Sequence, residues 1–297
     1  MRFLSPSNLK RIIIASLIVA VSAFILSCGV VVARTAIGVY DFHKGQTAYN
    51  QHRYEEAFSL FQKAANYGIP GAMINTGTMY ANGQGTTKNY SLAMRWDIKA
   101  ANRGASFAMR NIGLLYQFGR GVPRDYHMAM QWYRKGANLG EPRAMDNLGT
   151  LYKNGQGVKK NYSLAMHWFQ KSAALGDPYA MNHIGVLYDN GYGVIKDYKQ
   201  AMHWFQKAAG KGNPGDMSNI GGLYARGHGV PQDYGRAMQW YLMSAAQGDN
   251  FAMNKIGDLY AEGRGVKKNM STAISWWKKA AVLGNKDAAN ALKKIKK

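Results

Sequence analysis

The side chains best able to do chemistry are few, and their spacing does not predict a catalytic centre. His167 and His203 occupy equivalent positions 36 residues apart, but two histidines without a third ligand make a poor zinc site. Cys28 is the only cysteine, so the sequence offers neither an intramolecular disulfide nor a thiolate metal site. No Ser-His-acid set or Cys-His pair recurs at a fixed spacing. We therefore predict no catalytic residue, no metal and no cofactor.

A glycine pair, G-x-G, recurs six times, from Gly83/Gly85 to Gly263/Gly265. A phosphate-binding loop would need a preceding strand and a third glycine. Neither accompanies this pattern, and a tight turn between two helices explains the glycines equally well. We interpret the pair as structural.

These residues all belong to a repeat of 36 residues that recurs without insertion or deletion. The six copies are Gly71–Ser106, Phe107–Pro142, Arg143–Pro178, Tyr179–Pro214, Gly215–Asn250 and Phe251–Lys286. A fixed period of this length is typical of stacked supersecondary units, each of which buries its apolar face only against its neighbours.

Each copy is predicted to contain two helices. In the first helix, Ala108, Ile112 and Leu115 have the spacing of one apolar face. Gly113 recurs inside this face in every copy, although glycine destabilises a helix interior by about 1 kcal/mol relative to alanine. The recurrence predicts close approach of a second helix.

The second helix is predicted from its start signal and its aromatic residues. A side chain with a short acceptor, suited to an N-cap, recurs at Asn89, Asp125, Asn161, Asp197, Asp233 and Asn269. A tryptophan follows at Trp96, Trp132, Trp168, Trp204, Trp240 and Trp276. Because burial of an indole removes much apolar surface from water, we predict that these rings fill the contact between repeats.

The consensus A-M-x-N-[IL]-G-x-L-Y-x-x-G-x-G-V-x-x-[DN]-Y-x-x-A-M-x-W-[YF]-x-K-A-A-x-x-G, which extends over Gly71–Lys286, resembles the Sel-one-like repeat (SLR), a relative of the tetratricopeptide repeat (TPR). The resemblance implies an all-α fold, a right-handed α-solenoid, and a role as an adaptor for other proteins. Asp216 departs from the consensus by replacing an alanine. His183 and Lys255 depart from it by replacing asparagines.

The ends of the chain differ from the repeats. Residues 37–70 match a repeat only in part and are predicted to form an N-terminal TPR-like capping pair. Residues 287–297 are predicted to form a C-terminal capping helix. Residues 1–36 contain the uncharged 22-residue stretch Ile12–Ala33, long enough for a membrane-spanning helix.

Three interpretations of this first segment remain open: an uncleaved membrane anchor, a cleaved secretory signal, and a lipoprotein signal in which Cys28 is lipidated. The basic residues that precede the apolar stretch favour export. We therefore expect a membrane-anchored or exported protein with its repeats on the non-cytoplasmic side.

The charge is strongly basic, +22 from 38 Lys and Arg against 16 Asp and Glu. Part of it lies in a column on the second helices: Lys99, Lys135, Lys171, Lys207 and Lys279. Such a column would suit an acidic protein or an anionic membrane, or would simply be a solvated face. No nucleic-acid-binding motif accompanies it, so nucleic acid is not expected as a partner.

The resemblance also implies that the first helices line a concave binding face. The predicted contact residues are Phe107, Arg110, Leu114, Gln117, Arg143, Asp146, Lys153, Tyr179, Asn182, Asp189, Ser218, Phe251, Asn254 and Asp258. These positions vary between copies, whereas the packing positions hardly change, so they are free to suit a ligand. We expect a non-enzymatic scaffold that binds a protein or peptide. The alternatives are a secreted hydrolase of cell-wall or antibiotic substrates and a secreted effector acting on host proteins.

Overall fold

The computed structural model describes residues 33–211 and 214–295, and every regular element in these two ranges is an α-helix. Helix α1 covers residues 33–50. The others are α2 (Tyr54–Asn66), α3 (Pro70–Asn82), α4 (Tyr90–Ala101), α5 (Ser106–Phe118), α6 (Tyr126–Asn138), α7 (Pro142–Asn154), α8 (Tyr162–Ala174), α9 (Pro178–Asn190), α10 (Tyr198–Ala209), α11 (Pro214–Arg226), α12 (Tyr234–Ala246), α13 (Asn250–Glu262), α14 (Met270–Val282) and α15 (Lys286–Ile295).

The chain forms two compact units, Met1–Ala129 and Met130–Lys297. Within each unit, consecutive helices pack against each other, as α3 does against α4 in the first unit and α7 against α8 in the second. In the second unit α7 also contacts α9, so first helices of neighbouring repeats meet. Stacked helical hairpins of this kind confirm the predicted all-α solenoid architecture within each unit.

The second helix of every repeat begins at the predicted cap. Asn161 Oδ1 accepts the backbone N–H of Leu164 at 2.9 Å, and Asp125 Oδ1 accepts those of His127 and Met128 at 2.8 and 3.0 Å. Asn89, Asp197, Asp233 and Asn269 cap their helices in the same way. These bonds satisfy amide groups that a helix start otherwise leaves unpaired.

The G-x-G pair forms the turn between the two helices. Gly191 ends α9 in the left-handed conformation, with φ of 72°, and Gly193 follows with φ of 69°. A Cβ at Gly193 would lie 2.4 Å from Tyr162 Cβ in the preceding repeat. Both the backbone conformation and this close approach require glycine.

The glycine inside each first helix forms a notch for a ring of the second helix. A Cβ at Gly185 would lie 2.6 Å from the Phe205 ring, and one at Gly149 would lie 2.7 Å from the Phe169 ring. A Cβ at Gly257 would lie 2.6 Å from the Trp277 ring. The predicted close approach of two helices is confirmed in these repeats.

The recurring tryptophans do not occupy these notches, which lie within a repeat. Trp204 and Trp240 are half-buried and pack against core residues of two successive repeats, as predicted for the contact between repeats. The rings in the notches belong to the next position, which is occupied by Phe169, Phe205, Tyr241 and Trp277 in the second unit, and all four are buried. Among the recurring tryptophans only Trp96 is buried, and the other five are half-buried. One residue turns a helix by about 100°, which places the indole outside the notch within its own repeat.

The predicted N-terminal segment lies outside the described residues from residue 1 to residue 32, which includes Cys28. In the part of the chain that the structure does describe, no helix is both long enough and apolar enough to cross a bilayer. Residues 33–50 form α1, which packs with α2 through Ala48, Ala57 and Phe61.

Candidate binding groove

The predicted contact residues lie on first helices, with four on α5 in the first unit and ten on α7, α9, α11 and α13 in the second. Phe107, Arg143, Tyr179 and Phe251 are exposed, and Asp146, Ser218 and Asn254 are buried. The other seven (Arg110, Leu114, Gln117, Lys153, Asn182, Asp189 and Asp258) are half-buried. In the second unit these positions therefore combine the exposed side chains of Arg143, Tyr179 and Phe251 with buried and half-buried polar residues.

A cavity of about 350 Å³ lies between α9, α11 and α13 in the second unit. Four of the predicted residues line it: Asp189, Ser218, Phe251 and Asp258. It is also lined by Lys255, noted above as a departure from the consensus, and by residues that the sequence did not single out, among them Asn219, Gly222, Tyr234, Tyr241 and Arg264. The variable positions of three successive repeats thus meet at one site.

The cavity exists because α11 presents small residues where the other repeats present larger ones. Gly222 takes the place of Leu114, Thr150, Val186 and Asp258, and Ser218 takes the place of Arg110, Asp146, Asn182 and Asn254. A Cβ at Gly222 would meet nothing nearer than the Arg226 guanidinium at 3.5 Å. The missing side chains leave an open floor, and Gly222 was the signal that the sequence contained for it.

Cation and carboxylate pairs surround this floor. Arg226 Nη2 lies 3.5 Å from Asp189 Oδ2, which joins α9 to α11. Lys255 Nζ lies 3.0 Å from Asp258 Oδ2, and the other oxygen of Asp258 accepts the Trp277 indole N–H at 3.1 Å. Since the charged groups are partly exposed, both members of each pair remain accessible to a ligand.

Tyr241 supplies a neutral donor at the same site. Its ring occupies the notch at Gly221, and burial raises the pKa of the hydroxyl to about 12, with Arg226 opposing the shift and Asp258 adding to it. Tyr241 is also one of the residues that line the cavity. Its hydroxyl stays protonated at neutral pH and can donate a hydrogen bond.

A second polar cluster lies on α7 and α9, outside the cavity. Asp146 Oδ1 is 2.7 Å from His183 Nδ1, and the Arg143 guanidinium lies 4.6 Å from the centre of the Tyr179 ring. Burial lowers the pKa of Lys153, and the charge of Asp146 partly opposes this shift. Neighbouring first helices are therefore joined by the Asp146–His183 hydrogen bond and by a cation–π contact.

Asp216 and Asn182 form a further link between α11 and α9. Asn182 Nδ2 donates to Asp216 Oδ1, while Asp216 Oδ2 is buried and has no hydrogen-bond partner among the described residues. Burial raises the pKa of Asp216 to about 7, and the Asn182 bond opposes this. Two of the three departures from the consensus, His183 and Asp216, thus connect adjacent repeats.

The two histidines at equivalent positions of successive repeats do not line the cavity. His167 and His203 are exposed and pack edge-on against Trp168 and Trp204, with ring centres 5.6 and 6.0 Å apart. Among residues 33–211 and 214–295, no group of three or more His, Cys, Asp or Glu side chains is placed to hold a metal ion.

Comparison with known proteins agrees with this architecture. The family model described as Sel1 repeat matches residues 44–68, 70–104, 106–141, 142–177, 178–213, 216–249 and 250–285. The first match overlaps the α1–α2 pair predicted as a cap, and the other six follow the predicted copies to within two residues. No curated protein sequence matches the chain.

Solved structures resemble the chain over most of its length. A Sel1 repeat protein from Oxalobacter formigenes is 37% identical, with a TM-score of 0.76 over 82% of this chain and 99% of that one. A protective antigen of uropathogenic Escherichia coli strains with an SLR fold is 35% identical, with a TM-score of 0.66 over 78% of this chain. The match covers 50% of the antigen, so the chain spans half its length.

Yeast Tom70 has a TM-score of 0.53 at 11% identity over 87% of this chain and 52% of that one, a likeness of fold alone. Sel1 and TPR-like repeat folds generally mediate protein–protein interaction, through surfaces that successive repeats build together. The repeats matched by the family model cover most of the residues, and the chain therefore belongs to the Sel1 repeat family.

Proposed function

We propose that the chain is a non-enzymatic scaffold that binds a protein or peptide segment along the first helices of its second unit. The observation that carries the proposal is the cavity between α9, α11 and α13, where variable positions of three repeats converge. Its volume of about 350 Å³ falls in the range of sites that enclose a ligand group. One large side chain of a partner would anchor there.

The lining favours a partner with mixed polarity. Phe251 is 44% exposed at the cavity and offers apolar contact, while the Arg226–Asp189 and Lys255–Asp258 pairs offer charges of both signs. Tyr241 and Asn219 add neutral hydrogen-bonding groups. An anchor with an apolar body and a polar end, such as tyrosine or tryptophan, would match this combination.

The proposal is tested by filling the cavity. Gly222→Leu puts a side chain on the floor, and the equivalent Leu114 shows that the repeat accepts leucine at this position. The change also removes a helix-interior glycine, so we expect unfolding stability to be maintained or to rise by up to about 1 kcal/mol. Random peptides displayed on phage are selected on the full chain, and their affinities for Gly222→Leu are then measured by calorimetry.

The matched control is Thr150→Leu, the same position on α7 and outside the cavity. Selected peptides should bind Gly222→Leu about tenfold or more weakly, because the anchor is excluded, and should bind Thr150→Leu normally. Equal binding to both variants would place the peptide site elsewhere and overturn the proposal.

We also propose that the protein is exported or membrane-anchored, with its repeats on the non-cytoplasmic side. The support is the basic start of the chain followed by the uncharged stretch Ile12–Ala33. Mass spectrometry of the mature N-terminus separates the forms: cleavage near Ala33, a lipidated Cys28, or an intact segment. An intact segment in a purely soluble fraction would contradict the proposal.

A further inference from the structure

The second helices of the second unit have a one-sided charge. Helices α8, α10, α12 and α14 contain no Asp or Glu, whereas the first helices α7, α9, α11 and α13 contain five, Asp146, Asp189, Asp216, Asp258 and Glu262. All Asp and Glu residues of these eight helices thus lie on the first helices of the repeats. The exposed charges of the second helices are positive.

A recurring stripe organises this positive charge. In α8 and its C-cap, Trp168, Lys171 and Leu175 stand at positions i, i+3 and i+7, which is one face of a helix. Lys171 Nζ lies 5.0 Å from the centre of the Trp168 ring. Trp276, Lys279 and Leu283 repeat the stripe at α14, with 4.5 Å between the ammonium and the indole.

The stripe varies in the two helices between these. In α10 Lys207 lies 4.8 Å from the Trp204 ring, and the third position is Lys211. In α12 the lysine is replaced by Met243, which is 44% exposed. We call the exposed surface formed by these residues of α8, α10, α12 and α14 the basic face.

The basic face also exposes apolar side chains. Leu175 is 54% exposed and Leu283 is 49% exposed, and both stand one turn beyond a lysine. The tryptophans are half-buried, so each presents part of its indole to solvent. Leucine that enters the acyl boundary, tryptophan at headgroup level and lysine with its ammonium in the headgroups is the combination found where proteins rest on a bilayer.

We propose that the basic face docks on an anionic lipid surface. Positive charge unopposed by carboxylates on these helices complements the negative headgroups, and the leucines and tryptophans supply the apolar contact. Single-stranded nucleic acid is a poorer match, because its bases stack on free aromatic faces. Here lysine ammonium groups lie over the indoles of Trp168, Trp204 and Trp276.

The test measures binding of the full chain to vesicles of phosphatidylcholine with and without about 30% phosphatidylserine. The variant Lys171→Gln/Lys207→Gln/Lys279→Gln removes three charges from the basic face. Each lysine should contribute about fivefold to binding, so the three changes should weaken binding to anionic vesicles on the order of a hundredfold. Binding that does not require phosphatidylserine would overturn the proposal.

The matched control is Arg143→Gln/Arg226→Gln/Arg264→Gln, which removes three exposed charges from the groove side. If lipid binding depended on net charge alone, both triple variants would weaken it equally, and the assignment to the basic face would fail. We expect the control to lose less than about threefold, because charges that do not face the bilayer are screened over a Debye length. Far-ultraviolet circular dichroism verifies that both variants are folded.

A second variant separates lipid from other polyanions. Leu175→Ser/Leu283→Ser keeps every charge and should weaken vesicle binding about tenfold by removing apolar contact. The same variant and the lysine variant are tested on a labelled single-stranded DNA. Two results together would overturn lipid docking in favour of nucleic acid. DNA binding would be lost in the lysine variant, and vesicle binding would be unchanged in Leu175→Ser/Leu283→Ser.

The lipid and peptide tests have independent outcomes. Gly222→Leu changes the cavity floor and leaves the basic face intact, so it should bind anionic vesicles normally. Loss of peptide binding in Gly222→Leu and loss of vesicle binding in the lysine variant would therefore establish two surfaces on opposite members of the helical hairpins.

Discussion

The contact between the two helices of a repeat differs between the first repeat and those of the second unit. In the second unit, Gly149 and Gly185 face the rings of Phe169 and Phe205. In the repeat Gly71–Ser106 the equivalent position holds Asp97, which is buried and accepts a hydrogen bond from Asn111 Nδ2 at 3.3 Å. A carboxyl group thus replaces an aromatic ring at the centre of a helical hairpin.

Comparison of the two repeats separates the requirement for glycine in the first helix from the presence of a buried ring in the second helix. A Cβ at Gly77 would lie 3.2 Å from the Ala93 carbonyl oxygen, and one at Gly149 would lie 3.2 Å from the Ala165 carbonyl oxygen. The close approach of backbones is therefore the same in both repeats. The glycine is required by this approach even where no ring fills the notch, and the ring supplies additional burial.

The largest effect is expected from removal of a ring in the second unit. Phe205→Ala should lower the free energy of unfolding by about 3–5 kcal/mol, since it empties a fully buried site. The neighbouring Trp204→Ala should cost less, because the indole is only half-buried. Urea denaturation followed by circular dichroism measures both, and a larger loss for Trp204→Ala would contradict our account of the contact.

The next effect concerns pH in the first repeat. Burial raises the pKa of Asp97 to about 7, with the Asn111 hydrogen bond opposing the shift. A raised pKa means that stability is greatest below the carboxyl's unfolded pKa and falls as pH increases through about 7. Asp97→Asn should therefore stabilise the protein at pH 8 by a few kcal/mol, on the order of 1.4 kcal/mol per pKa unit.

At pH 4 the same change should have little effect, because Asp97 is then largely protonated in the folded state. The pKa of Asp216 is also raised to about 7, so Asp216 should add to the loss of stability as pH increases. Asp216→Ala removes this second contribution and is measured alongside Asp97→Asn. Denaturant midpoints between pH 4 and pH 8 measure both variants. An Asp97→Asn profile parallel to that of the parent chain would contradict the prediction.

The smallest effect tests the notch itself. Gly185→Ala should destabilise by about 1–3 kcal/mol, because its Cβ would lie 2.6 Å from a rigid ring. Gly77→Ala should cost less, because Asp97 Oδ1 at 3.3 Å belongs to a smaller side chain that can shift. Equal losses in thermal denaturation would mean that the backbone approach alone determines the cost.

Much of the fold could be predicted from the sequence, because the repeat supplies independent copies of each signal. Asn161 and its equivalents identify the helix starts, and Gly191 and its equivalents identify the helix ends. Trp204 and Phe205 are adjacent, and both fit the apolar stripe of the helix. The sequence therefore did not show which of the two rings faces the glycine of the first helix.

The candidate groove was predicted less completely. The varying positions, such as Asp189 and Asp258, were identified from the repeat, but the cavity depends on which side chains are missing from α11. The stacking of Lys171 on Trp168 also follows a spacing of three residues that the sequence displays. Because Trp168 is half-buried and packs against Ala137 and Met145, only part of its indole is available for this contact.

The small residues of α11 have a consequence for how this protein can diversify. Gly222 and Ser218 line the cavity but lie outside the notch formed by Gly221 and the Tyr241 ring. Substitutions at these two positions can therefore reshape the pocket while the hairpin keeps its packing. Ligand specificity can therefore change through α11 alone, and new preferences can evolve without an equal loss of folding stability.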